Sequence, residues 1–423
     1  MPVENPGLII PDDIFREPAL LRDITRNLYE DAIDGHRLFE EEFIIISKNY
    51  LLGLRLVGNK LISKLDENPS MIHDDQIGEA MGYFLKGEKL SFLYIFTSSD
   101  QHEYPGTQKW NDMRDHLLHA EYIAKKYRTE ELPSIRNNIA MFYRSDAAFA
   151  LIKGDTVQSD NFANKAFYIL KSLRDDTEKY RAQFETQLRA EPKNNHLRDQ
   201  LEKSVGELSD YHNNLGEIYM FMAESCLYGD TLKVKHHLDN ARRCFFASIN
   251  ELNRYKNLLK SLGEEDKLPN FDRRKITAYS NYASLCILDI HFQKGVAEIE
   301  NGDENKYLVN VNDILEHIRV SLTNVNERLQ NGSAEDKEYF RAEIKRRQLE
   351  VMIILYYIKQ KNITDADKIA KEFGFNNGIS PQAVLHYHNH VITESKQHDD
   401  RLLAERTRKR AQLIFGTSQL PLS

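Results

Sequence analysis

The chain has 423 residues, a formal net charge of −8 at pH 7 and a hydrophobic content of 41%. That length exceeds one compact core of ordinary size, so several domains or one extended array is expected. Only 19 Gly and 11 Pro are present, too few turn formers for an all-β chain, and the acidic balance opposes a dedicated nucleic-acid binder, which needs a basic excess to displace counterions.

Met1 to Pro11 has no basic region followed by an apolar core, so no secretory signal is expected there. Nearly every longer segment then carries apolar residues at helical spacing. A first helix is expected from near Asp12 to about Ala32. A second runs from about His36 to Asp66, with Phe39, Phe43, Ile46 and Tyr50 on one face. Gly53 and Gly58 weaken it without ending it, and Asn68-Pro69 stops it. A third runs from near Asp75 to about Thr97. Tyr104-Pro105-Gly106-Thr107 reads as a loop, with Thr107 capping the helix that holds Trp110, Leu117 and Tyr122. Leu132-Pro133-Ser134 closes that helix and opens the next. Further breaks fall at Gly154-Asp155-Thr156, 192–195, Gly229-Asp230-Thr231, 267–270, 302–303 and 330–333. In both Gly-Asp-Thr runs the Gly reads as a helix C-cap and the Asp and Thr as turn and N-cap residues. The apolar run from Phe43 to Leu52 is interrupted by Ser47, Lys48 and Asn49 and is too short to span a bilayer. Cys226, Cys244 and Cys286 are odd in number and lie inside apolar helical patterns, as expected of reduced, buried thiols in a cytoplasmic protein.

One pattern recurs. Residues 137–143 read Asn-Asn-Ile-Ala-Met-Phe-Tyr, residues 213–219 Asn-Asn-Leu-Gly-Glu-Ile-Tyr, and residues 280–286 Ser-Asn-Tyr-Ala-Ser-Leu-Cys. The anchors Asn138, Asn214 and Asn281 are 76 and 67 residues apart. Recurrence of this kind marks stacked helical repeats, which mostly bind other proteins. A small residue is needed where helix backbones come close, and Ala140, Gly216, Ala283 and Ser91 take that place. Leu215, Tyr219, Met222 and Cys226 follow as one helical stripe.

The pattern resembles the tetratricopeptide repeat (TPR), whose first helix carries large–Gly–x–x–Tyr and whose second carries Ala–x–x–x–Phe. The second half stands here as Ala163-x-x-x-Phe167 and Ala241-x-x-x-Phe245, and His212 to Tyr219 is similar to the kinesin-light-chain style of repeat. The resemblance covers residues 85–360 in outline. Its period is about twice the roughly 34 residues of that family, so the helices are lengthened. It implies an all-α fold, an elongated array of antiparallel helix pairs forming a TPR-like α-solenoid. Residues 1–84 would cap the array, 85–361 would form the repeats, and 362–423 a C-terminal helical hairpin and tail. The resemblance further implies a concave groove lined by first helices, in which the Asn before the large–Gly step bonds a bound peptide. Asn138, Asn214 and Asn281 take that role, with Asn137, Arg144, Asn213, Glu217 and Ser284 within about a turn. An Asn amide both donates and accepts, so it can hold an extended chain. The same amides would equally serve to cap or bridge neighbouring helices.

Four other constellations stand out. Ser380-Pro381 is a helix start, after which His386, His390, Glu394 and His398 recur every four residues. His386, His390 and Glu394 form a zinc-type donor set, although such stripes also arise on ordinary polar faces and no His-Glu-x-x-His is present. Residues 366–384 resemble a helix-turn-helix through Ala370 and Gly374, with Gln382, His386 and Tyr387 on the second helix. Nine basic against seven acidic residues between Lys361 and Arg410 make a weak DNA surface. Arg406, Arg408, Lys409 and Arg410 read as a solvated helix end, and His116, His119 and Glu121 as ordinary. No P-loop, dinucleotide fingerprint, GxSxG or CxxC occurs. The expectation is therefore a cytoplasmic adaptor, chaperone or regulator that binds another protein or peptide. It is expected to lack a membrane span, a cofactor, a small-molecule substrate and enzymatic activity. The alternatives are a peptide-sensing or DNA-contacting regulator and a metal-dependent enzyme using the His/Glu stripe.

Overall fold

The computed structural model describes residues 12–37, 41–97, 105, 107–227, 230–264, 366–373, 375 and 379–394, with single positions between 274 and 292 and between 348 and 355. Among the described residues the regular structure is helical and no strand occurs. Asp12–Arg16 forms a 3-10 turn, and α1 starts at Pro18 and runs to Arg37. A proline suits that first position, because its missing N–H would have no partner there. α2 spans Glu41–Glu67, and Asn68 and Pro69 end it. A 3-10 turn, Pro69–His73, leads into α3, Asp75–Thr97. α4 covers Gln108–Tyr127, capped by Thr107 Oγ1, which accepts from Trp110 N at 3.3 Å. It ends on Arg128 in the left-handed region, φ 53°, without a glycine.

α5 spans Leu132–Lys153, α6 Thr156–Ala190, α7 Asn195–Cys226 and α8 Thr231–Ser261. Gly154, at φ 82°, turns the chain between α5 and α6. Asp155, Asn194 and Asp230 cap the three helices that follow them, each accepting from backbone N–H groups two or three residues on. In both Gly-Asp-Thr runs the cap is therefore the Asp, and the Thr is the first helical residue. α9 (Ala366–Glu372) and α10 (Pro381–Glu394) follow, the latter capped by Ser380 Oγ accepting from Ala383 N at 3.1 Å.

The chain forms two compact units that divide between Phe142 and Tyr143, inside α5. In the first unit α1 packs on both α2 and α3, α2 on α3, and α3 on α4. Leu54, Val57, Leu61 and Leu65 put one buried stripe of α2 into this core. Gly58 and Gly87 let α2 and α3 come close: a Cβ on Gly58 would stand 2.0 Å from a ring carbon of Phe84. Beside that contact Arg55 forks onto Glu88 at 2.6 and 3.1 Å. Trp110 of α4 meets Phe142 of α5 edge to face at 4.6 Å.

In the second unit short loops turn α7 back on α6 and α8 back on α7, so that α7 packs between α6 and α8. Leu188, Leu201, Val205, Leu252 and Tyr255 form one core at one end of these three helices. A second core joins Met220 and Ala223 of α7, Val234, Leu238 and Phe245 of α8, and Leu285 and Leu288 of the helical positions 274–292. Gly216 is the small residue of the repeat pattern, and a Cβ there would stand 2.4 Å from Phe245 Cε1. Ala163 and Ala241, the small residues of the second-helix pattern, are fully buried. Ala283 and the Ser91 side chain lie outside the described residues.

These surroundings give Gly216→Ala and Gly82→Ala opposite signs. Phe245 is fully buried and has nowhere to move, so alanine at Gly216 should destabilise by about 1–3 kcal/mol. Gly82, within α3, has nothing within 4 Å of a Cβ, so alanine there should stabilise by about 0.5–1 kcal/mol. Urea midpoints of the two variants against the parent chain check both.

Candidate functional site

The three copies of the repeat pattern fall on α5, α7 and the helical positions 274–292. From residue 204 to 223 α7 is buried on almost every side, so its polar side chains must find partners within the fold. Asn213 Oδ1 accepts from Asn281 Nδ2 at 3.1 Å. Arg144 Nη1 of α5 donates to Glu217 Oε2 at 2.7 Å and lies 3.5 Å from Asn214 Oδ1. Asn213, Asn214, Glu217, Asn281 and Ser284 are buried, and Arg144 keeps only 14% of its side chain exposed. One polar seam thus crosses three successive first helices. Arg274 extends it: its guanidinium lies over Gly206, while its Nε bonds Asp210 at 3.0 Å.

Asn137 and Asn138 stand on the part of α5 that belongs to the first unit and are half-buried. Asn137 Oδ1 is buried and has no hydrogen-bond partner among the described residues.

A second seam joins the second helices. Glu185 of α6 takes Arg254 of α8 at 3.0 Å and Arg181 and Arg189 of its own helix at 2.8 and 2.9 Å. Arg181 also lies 3.5 Å from Glu251 of α8. Burial pushes the Glu185 carboxyl up, but the Arg189 hydrogen bond and the surrounding guanidinium charges outweigh it and hold the group below its usual value.

Two other groups of this unit are shifted by burial. Burial, helped by the charge of Arg174, pushes the His212 imidazole down to about 4, so it is neutral near pH 7. Burial pushes the Cys244 thiol up to about 11, against the opposing effect of Arg174, which leaves it protonated and poorly nucleophilic. Burial raises Cys226 as well, and neither cysteine is in a disulfide. Cys286 lies outside the described residues.

The remaining candidates are placed as follows. His386 is exposed, and the His390 and Glu394 side chains and all of His398 lie outside the described residues. No group of three metal-ligating side chains occurs among the described residues. α9 and α10 form the helices of the helix-turn-helix-like segment, with Ala370 and Val384 buried and Gln382 exposed. Gly374 and the Tyr387 side chain are outside the described residues, as are the Arg406 to Arg410 cluster and the breaks at 267–270, 302–303 and 330–333. Burial, with Arg55 nearby, lowers the His116 imidazole, and Glu121 is held by Lys125 and Arg136 at 2.7 and 3.4 Å. Among the described residues no helix is long and apolar enough to cross a membrane. No protein-family model matches the chain, and no curated protein matches it with significance.

Two outcomes follow from these environments. Arg144→Met leaves the Glu217 carboxylate buried without its guanidinium and should cost about 3–5 kcal/mol, whereas Arg144→Met with Glu217→Leu should recover most of that loss. Chemical denaturation of the single and double variants measures the difference. His212 is harder to protonate folded than unfolded, so its contribution is complete above about pH 6.5 and is lost as pH falls towards 4. The full effect is on the order of 3 kcal/mol. His212→Leu should flatten the stability profile in that window, read from urea midpoints at several pH values.

Proposed function

We propose that this protein is a TPR-like helical-repeat scaffold that holds a segment of another protein, as an adaptor, chaperone or regulator does. The observation that carries this reading is the like-with-like pairing of helices in the second unit. First helices are tied to first helices through Arg144, Glu217, Asn213 and Asn281, and second helices to second helices through Arg181, Glu185, Glu251 and Arg254. Stacked helical hairpins have this connectivity, and stacks of this kind bind extended partners along their faces.

The seam residues Asn213, Asn214, Glu217, Asn281 and Ser284 then act through geometry, holding first helices in register. Asn137 and Asn138 are the amides this reading assigns to the guest: Asn138 matches both the donor and the acceptor of an extended backbone, and Asn137, whose Oδ1 is buried, offers its Nδ2 donor. A cytoplasmic setting suits the protonated, unpaired thiols.

In-cell cross-linking followed by reconstitution with the purified partner tests the proposal. Asn138→Ala and Asn137→Ala should each weaken the partner by about tenfold, the effect of one lost hydrogen bond. Unchanged affinity in both variants, or no partner protein that rebinds the purified chain, would overturn it.

A further inference from the structure

On the second-helix seam the C-terminal half of α8 and the end of α6 enclose an open cavity of about 550 Å³, lined by Arg189, Asn250, Asn253, Arg254, Asn257 and Ser261. Leu258, almost fully buried, forms its apolar floor. Asn250, Asn253 and Asn257 follow i, i+3 and i+7, so their amides share one face of α8. None of the three bonds another side chain among the described residues, and Asn250 and Asn257 are exposed. Asparagine is a poor helix former, and three within eight residues weaken an exposed helix that Lys, Glu or Gln would strengthen. Local stability therefore does not account for the stripe.

The charges around the cavity lean one way. Three guanidinium groups, Arg181, Arg189 and Arg254, share the two carboxylates Glu185 and Glu251. Arg189 and Arg254 each give Glu185 one N–H and leave just over half of the side chain exposed at the cavity. The lining holds these two cations and no carboxylate, in a chain whose net charge is −8. A site of this kind combines fixed cations with amides that both donate and accept. A phosphate backbone offers acceptors only and would leave the amide oxygens unmatched, whereas a polypeptide backbone alternates N–H and C=O. From Asn250 to Ser261 the stripe runs about 16 Å along the helix, the span of about five extended residues.

We propose that this amide-and-arginine groove binds an extended acidic segment of a partner protein, its backbone held by Asn250, Asn253 and Asn257 and its carboxylates by Arg189 and Arg254. The inference rests on the reading of the chain as a protein-binding scaffold and assigns one guest segment to its second-helix layer. Specificity comes from the pairing of the two contacts: the amides require an extended backbone, and the guanidinium groups require a carboxylate beside it.

Fluorescence anisotropy with the full chain and three labelled probes tests it. The probes are a peptide of about ten residues alternating Glu and Gly, its Gln–Gly counterpart, and an oligothymidylate of matching length. The Glu–Gly peptide should bind about tenfold or more tightly than either other probe at low ionic strength. Asn253→Ala with Asn257→Ala, and separately Arg189→Gln with Arg254→Gln, should each weaken it about tenfold or more. The asparagine variant should keep the parent's melting profile, because those side chains bond no other side chain among the described residues, and the arginine variant should keep its helical far-UV spectrum, because Arg181 still holds Glu185 and lies beside Glu251. Absence of Glu–Gly binding, indifference to either variant, or tighter binding of the oligothymidylate would overturn the proposal. Loss of peptide binding with the native partner still retained would sink this groove alone. Peptide binding in a chain that rebinds no partner protein would sink the scaffold reading alone.

Discussion

A helix enclosed by neighbours has no water in which to leave its polar side chains, and α7 is in that position over about five turns. Its apolar residues enter two cores. Its asparagines and Glu217 cannot, and an unpartnered amide or carboxylate in such surroundings costs more than the bond itself contributes when made. The partners come from the first helices on either side: Arg144 on α5 and Asn281 among the helical positions 274–292. Burying α7 thus forces like helices to lie beside one another.

Distance and register are set by different residues. Gly216 lets Phe245 reach the backbone of α7, and Gly206 lets the Arg274 guanidinium lie on the same helix about three turns earlier. These contacts decide how near the helices lie. The seams decide how far each may slide, because a one-turn shift would separate Asn213 from Asn281 and leave Glu217 without Arg144. Apolar packing alone tolerates such shifts more readily than buried polar pairs do. The buried pair contributes little net stability, and its value here is in excluding wrong registers.

The two layers differ in chemistry. Along the first helices most polar groups are consumed within the fold, while Asn137 Oδ1 on α5 and His212 Nδ1 on α7 have no hydrogen-bond partner among the described residues. Along the second helices the ion pairs are nearer the surface, and the groove beside them keeps three amides and two guanidinium groups open to solvent. In the scaffold proposed above, a face that keeps unmatched hydrogen-bonding groups in fixed positions would be preorganised for a guest.

Much of the local structure was written in short stretches of sequence. Thr107, Asp155, Asn194, Asp230 and Ser380 cap the helices they precede because a cap is a bond between residues two or three apart. Asn68-Pro69 ends α2 for an equally local reason. The pairing of small with large residues was also legible, in Gly216 and Ala241-x-x-x-Phe245. Arg128, left-handed without being glycine, carried no such signal. Nor did the fate of the asparagines: Asn214 and Asn281 have the composition of a ligand-binding ladder, and whether an amide meets a guest or a neighbouring helix depends on a residue roughly 70 positions away. The Asn250, Asn253 and Asn257 stripe matches no motif, and only the approach of α6, with Arg189 and Glu185, makes it the wall of a groove. The sequence by itself determined the helices, their ends and the small residues that let them approach, since those depend on nearest neighbours along the chain. Which polar groups are consumed and which stay open was decided by the tertiary structure alone, since burial belongs to the packed helices and not to any one of them.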